Sequence, residues 1–216
     1  MKSLFLAASL LLSTACLVSV QAVADYASEP SDSEQASKAL QQQLADMTRF
    51  YARFEQQVFD MQQQLVQQGE GELWLQQPGK FRYQMELPEP ILFVGDGETL
   101  WYYHELLEQV TIYDAKAELE RTPFTLLMSN DASLWQQYRI SQLDDGYRIQ
   151  SVDPASPVQY LQLHFTAAGL NIMQVLDLNG QRSIFHFQPQ PDVGSDFATD
   201  LFQFQPPADV DIDDQR

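Results

Sequence analysis

The sequence is poor in thiols and in positive charge. Cys16 is its only cysteine, and it lies within an apolar N-terminal segment. Cleavage of that segment would leave no thiol, which excludes disulfide bonds and thiol catalysis from the mature chain. Only 12 Lys and Arg stand against 30 Asp and Glu, for a formal net charge of −18. A surface of this sign repels phosphate backbones and anionic headgroups, which argues against nucleic-acid binding and electrostatic membrane docking.

Catalytic and metal-binding motifs are also missing. The three histidines, His104, His164 and His186, fall in predicted strands and have no ligand spacing such as HxxxH. There is no GxSxG motif and no glycine-rich phosphate loop. The acidic tail from Asp209 to Asp214 lacks the glycine and the final glutamate of a calcium loop. The sequence therefore predicts no enzyme activity, no metal and no cofactor.

The N-terminus has the pattern of a cleaved secretory signal. Lys2 precedes a mostly apolar stretch from Leu4 to Val20, and Ala22-Val23-Ala24 forms a small-x-small cleavage site. Residues 1–24 are predicted to be a signal peptide and residues 25–216 a single domain. A lipoprotein acylation box ending at Cys16 is the alternative. The interpretation as a signal peptide is favoured because Ser13 replaces the usual large apolar residue.

Short alternating segments dominate the rest of the chain. In residues 69–113, apolar or aromatic side chains recur at every second position between turn residues such as Pro78-Gly79 and Asp96-Gly97. Further hairpin signals are Asp145-Gly146 and Asn179-Gly180. This pattern predicts ten or eleven strands in an antiparallel sheet.

Two helical segments accompany the strands. Residues 33–47 carry a narrow apolar stripe among glutamines, and Thr122-Pro123 opens a short, strongly apolar helix through Met128. A curled sheet has to hide its apolar concave face. The two helices are therefore predicted to cover it. The fold expected is mainly β, an unclosed antiparallel barrel with a helical lid over a hydrophobic cavity.

Five segments of the sequence resemble those of a known protein family. They are GEGELWLQQPGKFRY, DGETLWYYHELLEQVT, RTPFTLLMSN, SLWQQY and PPADVDIDDQR. Because of these segments, the chain resembles the LolA family of outer-membrane lipoprotein carriers over nearly its whole mature length. The resemblance implies a monomeric periplasmic chaperone without enzyme activity. Such a carrier accepts triacylated lipoproteins from the inner-membrane transporter LolCDE and passes them to the outer-membrane receptor LolB.

The candidate site residues form three groups. The residues predicted to line the cavity are Phe50, Phe54, Trp74, Phe81, Tyr83, Trp101, Tyr103, Leu163 and Phe165. The residues predicted to form the lid are Leu40, Leu44, Leu126, Leu127 and Met128. The sequence does not decide which face of each strand points into the cavity, because a shift of one residue in the assignment exchanges the two faces. The same side chains also fit an ordinary packed core of a sheet and helices.

One position departs from the family pattern. The resemblance implies an arginine just before the proline of the Pro78-Gly79 turn, where it would bond backbone carbonyls of the lid and hold the lid shut. This chain has Gln77 at that position. An amide still donates two hydrogen bonds but lacks the charge and the guanidinium fork. We expect a more weakly latched lid, unless Lys80 or Arg82 substitutes.

Three other functions remain open on the sequence. The first is a LolB-like receptor anchored through an acylated Cys16. The second is a binding module that uses its strand edges rather than a cavity. The third, an enzyme acting on lipids, would need a nucleophile and a base that the sequence does not display.

Overall fold

The computed structural model describes residues 30–129, 131, 133–190 and 197–216 of the chain. The predicted signal peptide and Cys16 lie outside these residues. The helices are α1 (Pro30–Ala45), α2 (Ala115–Glu120) and α3 (Thr125–Met128), with short 3₁₀ turns at Glu105–Leu107 and Leu134–Gln137. None of the described helices combines the length and the apolar character that a membrane crossing requires.

Twelve strands make up most of the described chain. They are β1 (Arg49–Phe59), β2 (Leu65–Gln76), β3 (Lys80–Leu87), β4 (Ile91–Asp96), β5 (Thr99–His104), β6 (Gln109–Asp114), β7 (Tyr138–Leu143), β8 (Gly146–Ser151), β9 (Val158–Thr166), β10 (Gly169–Asp177), β11 (Arg182–Pro189) and β12 (Asp211–Asp214). All belong to one sheet in the order β12-β6-β5-β4-β3-β2-β1-β11-β10-β9-β8-β7. Because β7 and β12 lie at opposite edges and do not pair, the barrel is unclosed. The predicted fold class is confirmed.

The last strand differs from the rest. β12 pairs with β6 in parallel, with Asp211 opposite Gln109 and Asp214 opposite Ile112, whereas the other pairings are antiparallel. The sequence prediction treats this acidic tail as a solvated end. Its side chains are indeed exposed, so the strand is held by backbone pairing and carries no apolar alternation that would reveal it.

The apolar side chains of the sheet gather on its concave face. In β1 every second residue is buried, from Phe50 to Val58. Helix α1 packs its stripe of Ala36, Leu40 and Leu44 beneath the same core and lies against β7. Most of its stability therefore comes from this buried stripe, since the other positions are mainly glutamine and charged residues.

A glycine in β2 lets two aromatic rings meet across a strand. Gly71 lies opposite Phe54 of β1, and the Phe54 ring passes over it to stack on Tyr83 of β3, with ring centroids 5.0 Å apart. A Cβ at Gly71 would collide with the backbone oxygen of Gln84 and would lie 2.8 Å from Phe54 Cζ. The aromatic floor of the concave face thus requires the absence of a side chain here.

Gly71→Ala is expected to lower the free energy of unfolding by about 1–3 kcal/mol, because the added methyl overpacks the strand pair and displaces the Phe54 ring. Denaturant unfolding followed by tryptophan fluorescence measures the change. Gln68→Ala, at an exposed position of the same strand, is the control and should stay within about 0.5 kcal/mol of the parent. Equal stability of the two variants would contradict this packing role.

Candidate functional site: an apolar cavity under a helical lid

The main cavity lies between the concave face and the lid segment. Its volume is about 430 Å³. The lining is almost wholly apolar and consists of Leu73, Leu75, Phe81, Tyr83, Phe93, Leu100, Glu118, Leu119, Thr122, Phe124, Leu127, Met128, Leu170, Met173, Phe185 and Phe187. Glu118 is the one carboxylate in that lining, and its Oε1 lies 3.2 Å from the guanidinium of Arg121. Such a lining suits a hydrocarbon ligand rather than a polar one.

Aromatic rings form much of the cavity floor. Tyr83 stacks on Phe54 and meets Phe93 edge-on with centroids 6.0 Å apart, while Phe93 stacks on Tyr102 at 4.6 Å. On the other side of Phe54, Phe185 and Phe187 stack in parallel at 6.2 Å. The row therefore crosses the sheet from β11 to β5 and presents ring faces and edges to the cavity.

The Tyr83 hydroxyl is a buried polar group on this floor. It lies 3.3 Å from Oε1 of Gln56, to which it donates a hydrogen bond. Burial raises the pKa of Tyr83 above its ordinary value, because the phenolate would be poorly solvated there. The floor is thus uncharged over the physiological pH range, and the hydrogen bond satisfies its one buried hydroxyl.

Six of the nine predicted lining residues lie in the hydrophobic core or pack against it. Phe81 and Tyr83 line the cavity. Phe50, Phe54 and Leu163 are buried in the same hydrophobic core, so they support the floor rather than face the empty volume. Phe165 is half-buried against that core and, with Phe50, borders a separate hollow of about 440 Å³.

Trp74, Trp101 and Tyr103 lie on the opposite, convex face of the sheet. Trp74 stacks on Tyr51, and both Trp101 and Tyr103 pack against Phe204 of the C-terminal segment. The prediction assigns the faces of β2 and β5 one residue out of register. Their cavity-facing residues are instead Leu73 and Leu75 in β2 and Leu100 in β5.

The predicted lid residues come together as expected from their spacing. Leu40 and Leu44 of α1 and Leu126, Leu127 and Met128 of α3 are all at most 5% exposed. Leu127 and Met128 close the main cavity. Leu44 and Leu126 border a neighbouring hollow of about 530 Å³ that Gln77 also lines.

Gln77 ties the two lid helices to the sheet. Its side-chain Nε2 donates to the backbone oxygen of Leu44 in α1 at 3.2 Å and to that of Leu127 in α3 at 3.1 Å. Its own backbone N–H donates to Thr48 at 2.9 Å, and the N–H of Gly79 donates to Met128 at 2.8 Å. One neutral amide therefore reaches both helices, and its buried Oε1 has no hydrogen-bond partner in the described structure. These contacts are the ones expected of a latch, and the role of Gln77 in holding the lid shut stays a prediction.

Neither proposed substitute for the missing arginine makes these contacts. Arg82 instead points to the convex face, where its Nη1 lies 3.5 Å from the backbone oxygen of Leu201, and burial lowers its pKa. Within the described residues, no hydrogen bond or ion pair joins the Lys80 side chain to the lid. The lid is held on this side by uncharged groups.

Comparison with known proteins decides the family. The sequence model of "Outer membrane lipoprotein carrier protein LolA" matches residues 45–205. An outer-membrane lipoprotein carrier protein of Pseudoalteromonas translucida is 40% identical over 83% of this chain and 87% of its own length. That of Yersinia pestis is 32% identical over 93% and 94%.

This chain belongs to the LolA family. Solved structures agree with the fold at low sequence identity. A conserved protein of unknown role from Thermus thermophilus covers 84% of this chain and 99% of its own, with a TM-score of 0.51 and 12% identity. That similarity concerns the fold alone. Gln77 lies inside the region that the LolA family model matches.

Removal of the Gln77 amide should loosen the lid. Gln77→Leu loses two hydrogen bonds, which are worth about 0.5–1.5 kcal/mol each, while the Gly79–Met128 bond remains. We expect amide exchange at Leu126 and Leu127 to accelerate roughly 5- to 150-fold, and Gln77→Arg to slow it because charge-assisted bonds are stronger. Hydrogen-exchange mass spectrometry or NMR measures both effects.

Gln76→Leu is the matched control, since it makes the same change one residue earlier and away from the lid carbonyls. In this variant, the amide hydrogens of α3 should exchange at the same rate as in the parent. If Gln77→Leu and Gln77→Arg both exchange at the parental rate, the latch role of this amide is wrong.

Proposed function

We propose that this chain is a periplasmic carrier that shields the acyl chains of lipoproteins in the cavity beneath α1 and α3. The observation that best supports this is the apolar cavity, which is lined by aromatic and aliphatic side chains. Membership of the LolA family supplies the class of cargo, since the relatives are named as outer-membrane lipoprotein carriers.

The energetics of such a carrier require no chemistry. Burying a methylene out of water is worth about 0.8 kcal/mol, so a free acyl chain strongly favours any apolar container. Transfer from a bilayer to this cavity exchanges one apolar medium for another and is close to neutral. Loading therefore needs an external source of work, and the proposal assigns that role to ATP hydrolysis by the transporter LolCDE.

The lid must open to admit a triacylated cargo. Leu127 and Met128 cover the cavity of about 430 Å³ on the lid side. Outward movement of the lid is the simplest way to admit acyl chains, because α3 is one short turn held by the Gln77 and Gly79 contacts.

Delivery completes the proposed cycle. The carrier, acting as a monomer without a cofactor, would pass its cargo to the receptor LolB at the outer membrane. An anchored receptor of the same fold is the alternative, and the N-terminus of the mature protein distinguishes the two. A start at Asp25 fits the carrier, whereas an acylated Cys16 fits the receptor.

Release from spheroplasts tests the proposal. Purified mature protein is added to spheroplasts that display a newly made triacylated lipoprotein, and the supernatant is analysed for a soluble complex. We expect release that depends on the ATP supply of the cognate transporter. Absence of release by folded protein would contradict the carrier function.

Two variants link release to the cavity. Phe93→Glu places a carboxylate on the cavity wall and should reduce release at least tenfold, because an acyl chain cannot solvate the charge. Val152→Glu places the same group on an exposed position outside the cavity and should release as much lipoprotein as the parent. Circular dichroism confirms that both variants fold.

A further inference from the structure

The exposed large apolar side chains are not scattered over the surface. They are Met61, Leu65, Val66, Leu87, Leu106, Leu107, Val152, Leu178 and Ile212. Every one lies at or beside the strand ends near the turns at 60–64, 88–90, 105–108, 152–157 and 178–181, which share one end of the antiparallel sheet. The turns at 77–79, 97–98, 144–145 and 167–168, at the opposite end, contribute none from this set.

Four of these residues form one protruding tip. Met61, Leu65 and Val66 belong to the β1–β2 hairpin, and Leu178 belongs to the β10–β11 turn; their exposed fractions are 68%, 47%, 57% and 48%. The two turns touch, because a Cβ at Gly180 would lie 2.7 Å from Met61 Cγ. β3 pairs with β2 only from Glu70 onward, so the hairpin extends beyond its neighbour on that side. We name these four residues the apolar tip.

A β-bulge and side-chain hydrogen bonds to backbone N–H groups fix the backbone of the apolar tip. The register of β1 and β2 shifts between Val58 and Phe59, so that Val66 is an extra residue beside the Phe59–Leu65 pair. Bulges of this kind re-aim side chains and are features of function rather than defects. Asp60 accepts from the N–H groups of Gln62 and Gln64 at 2.9 Å each, and Asp177 accepts from that of Gln181 at 2.9 Å. The tip therefore presents its apolar groups from fixed turns.

The charges around the tip select the kind of partner. Asp60 and Asp177 flank it directly, and Glu70, Glu86 and Glu89 lie on the adjoining strand ends. The one cation of these two turns, Arg182, is held over the Phe59 ring at 4.9 Å. An apolar centre with an acidic surround is repelled by an anionic membrane and by a second copy of this chain at −18. It is complementary to a protein face whose apolar centre is surrounded by Lys and Arg.

We propose that the apolar tip is a docking surface for a basic protein face, separate from the lid and cavity. β2 runs from Leu65 to Gln76, and at about 3.3 Å per residue the tip lies about 36 Å from the Gln77 end of that strand. Contact at the tip therefore leaves the lid free to move. Exposed Met and branched aliphatic side chains within a rim of Gln62, Gln63, Gln64 and Gln67 match the apolar core and polar rim of transient interfaces.

The choice of probe rests on the proposed function. The purified periplasmic domain of the cognate transporter and the soluble receptor domain without its anchor are each titrated against the mature chain by calorimetry. The parent should bind at least one of them, more weakly as salt rises from about 50 to 300 mM because the flanking charges are screened. Leu65→Ser combined with Val66→Ser should weaken that binding at least tenfold.

Leu106→Ser combined with Leu107→Ser is the matched control. These two consecutive leucines are 64% and 63% exposed at the same end of the sheet, and their replacement should change binding less than twofold. Uptake of a fluorescent acyl probe should be the same in the parent and in both double variants, because neither pair lines the cavity. This second readout separates loss of docking from loss of the fold or of the proposed carrier function.

Several results would overturn the docking surface. Parental affinity of the Leu65/Val66 variant overturns it while leaving the carrier function standing. Binding of the parent to neither domain overturns it and also the transporter and receptor roles, while probe uptake still reports on the cavity. Tip-dependent binding to anionic vesicles, or tip-dependent dimerisation in sedimentation velocity, would replace the basic protein face with a membrane or a second copy.

Discussion

The structure depends on keeping an apolar concave face away from water without closing the sheet. A closed barrel would satisfy its edges with strands, but here β7 and β12 leave the sheet open, and helices must cover the gap. α1 contributes a buried stripe, and α3 contributes three consecutive apolar residues that are each at most 5% exposed. The cover is therefore held mainly by the non-directional burial of these side chains.

Directional contacts between lid and sheet are few, and the most central is an uncharged amide. Gln77 reaches carbonyls of both α1 and α3, so the two helices are coupled through one side chain. A neutral amide donates weaker bonds than a guanidinium, and its unpartnered buried oxygen adds a desolvation cost. In the proposed carrier, a lid that opens too reluctantly could not load and one that opens too readily would expose its cargo, and a latch at this position would influence both steps.

Much of the fold is predictable from the sequence because turn residues and period-two alternation are local signals. Phe81 and Tyr83 line the cavity, and the strand that carries them begins at an unambiguous Pro78-Gly79 turn. Trp101 and Tyr103 are misassigned because in residues 99–104 both faces carry apolar or aromatic groups. There, alternation cannot say which face is concave. The deciding fact is tertiary: Phe204, about a hundred residues away, covers the convex side.

Other features depend on tertiary pairing that the local pattern does not show. Phe93, Phe185 and Phe187 line the cavity, and only the pairing of β11 with β1 brings the last two beside Phe54. β12 follows a polar segment and gains its place through backbone pairing alone. Conversely, the position of Gln77 just before Pro78 predicts a contact with the lid once the family resemblance is recognised, and the structure supplies its two acceptors.

In the proposed function, acyl chains occupy the concave cavity and not the aromatic convex face. Photo-crosslinking distinguishes these two faces, with a photoreactive amino acid placed at Leu100 in one variant and at the adjacent Trp101 in another. Each variant is loaded with a triacylated lipoprotein, irradiated and analysed by mass spectrometry for adducts on the acyl chains. We expect acyl adducts from position 100 and none from position 101. Adducts from position 101 alone, or equal adducts from both, would overturn the assignment of the acyl chains to the cavity.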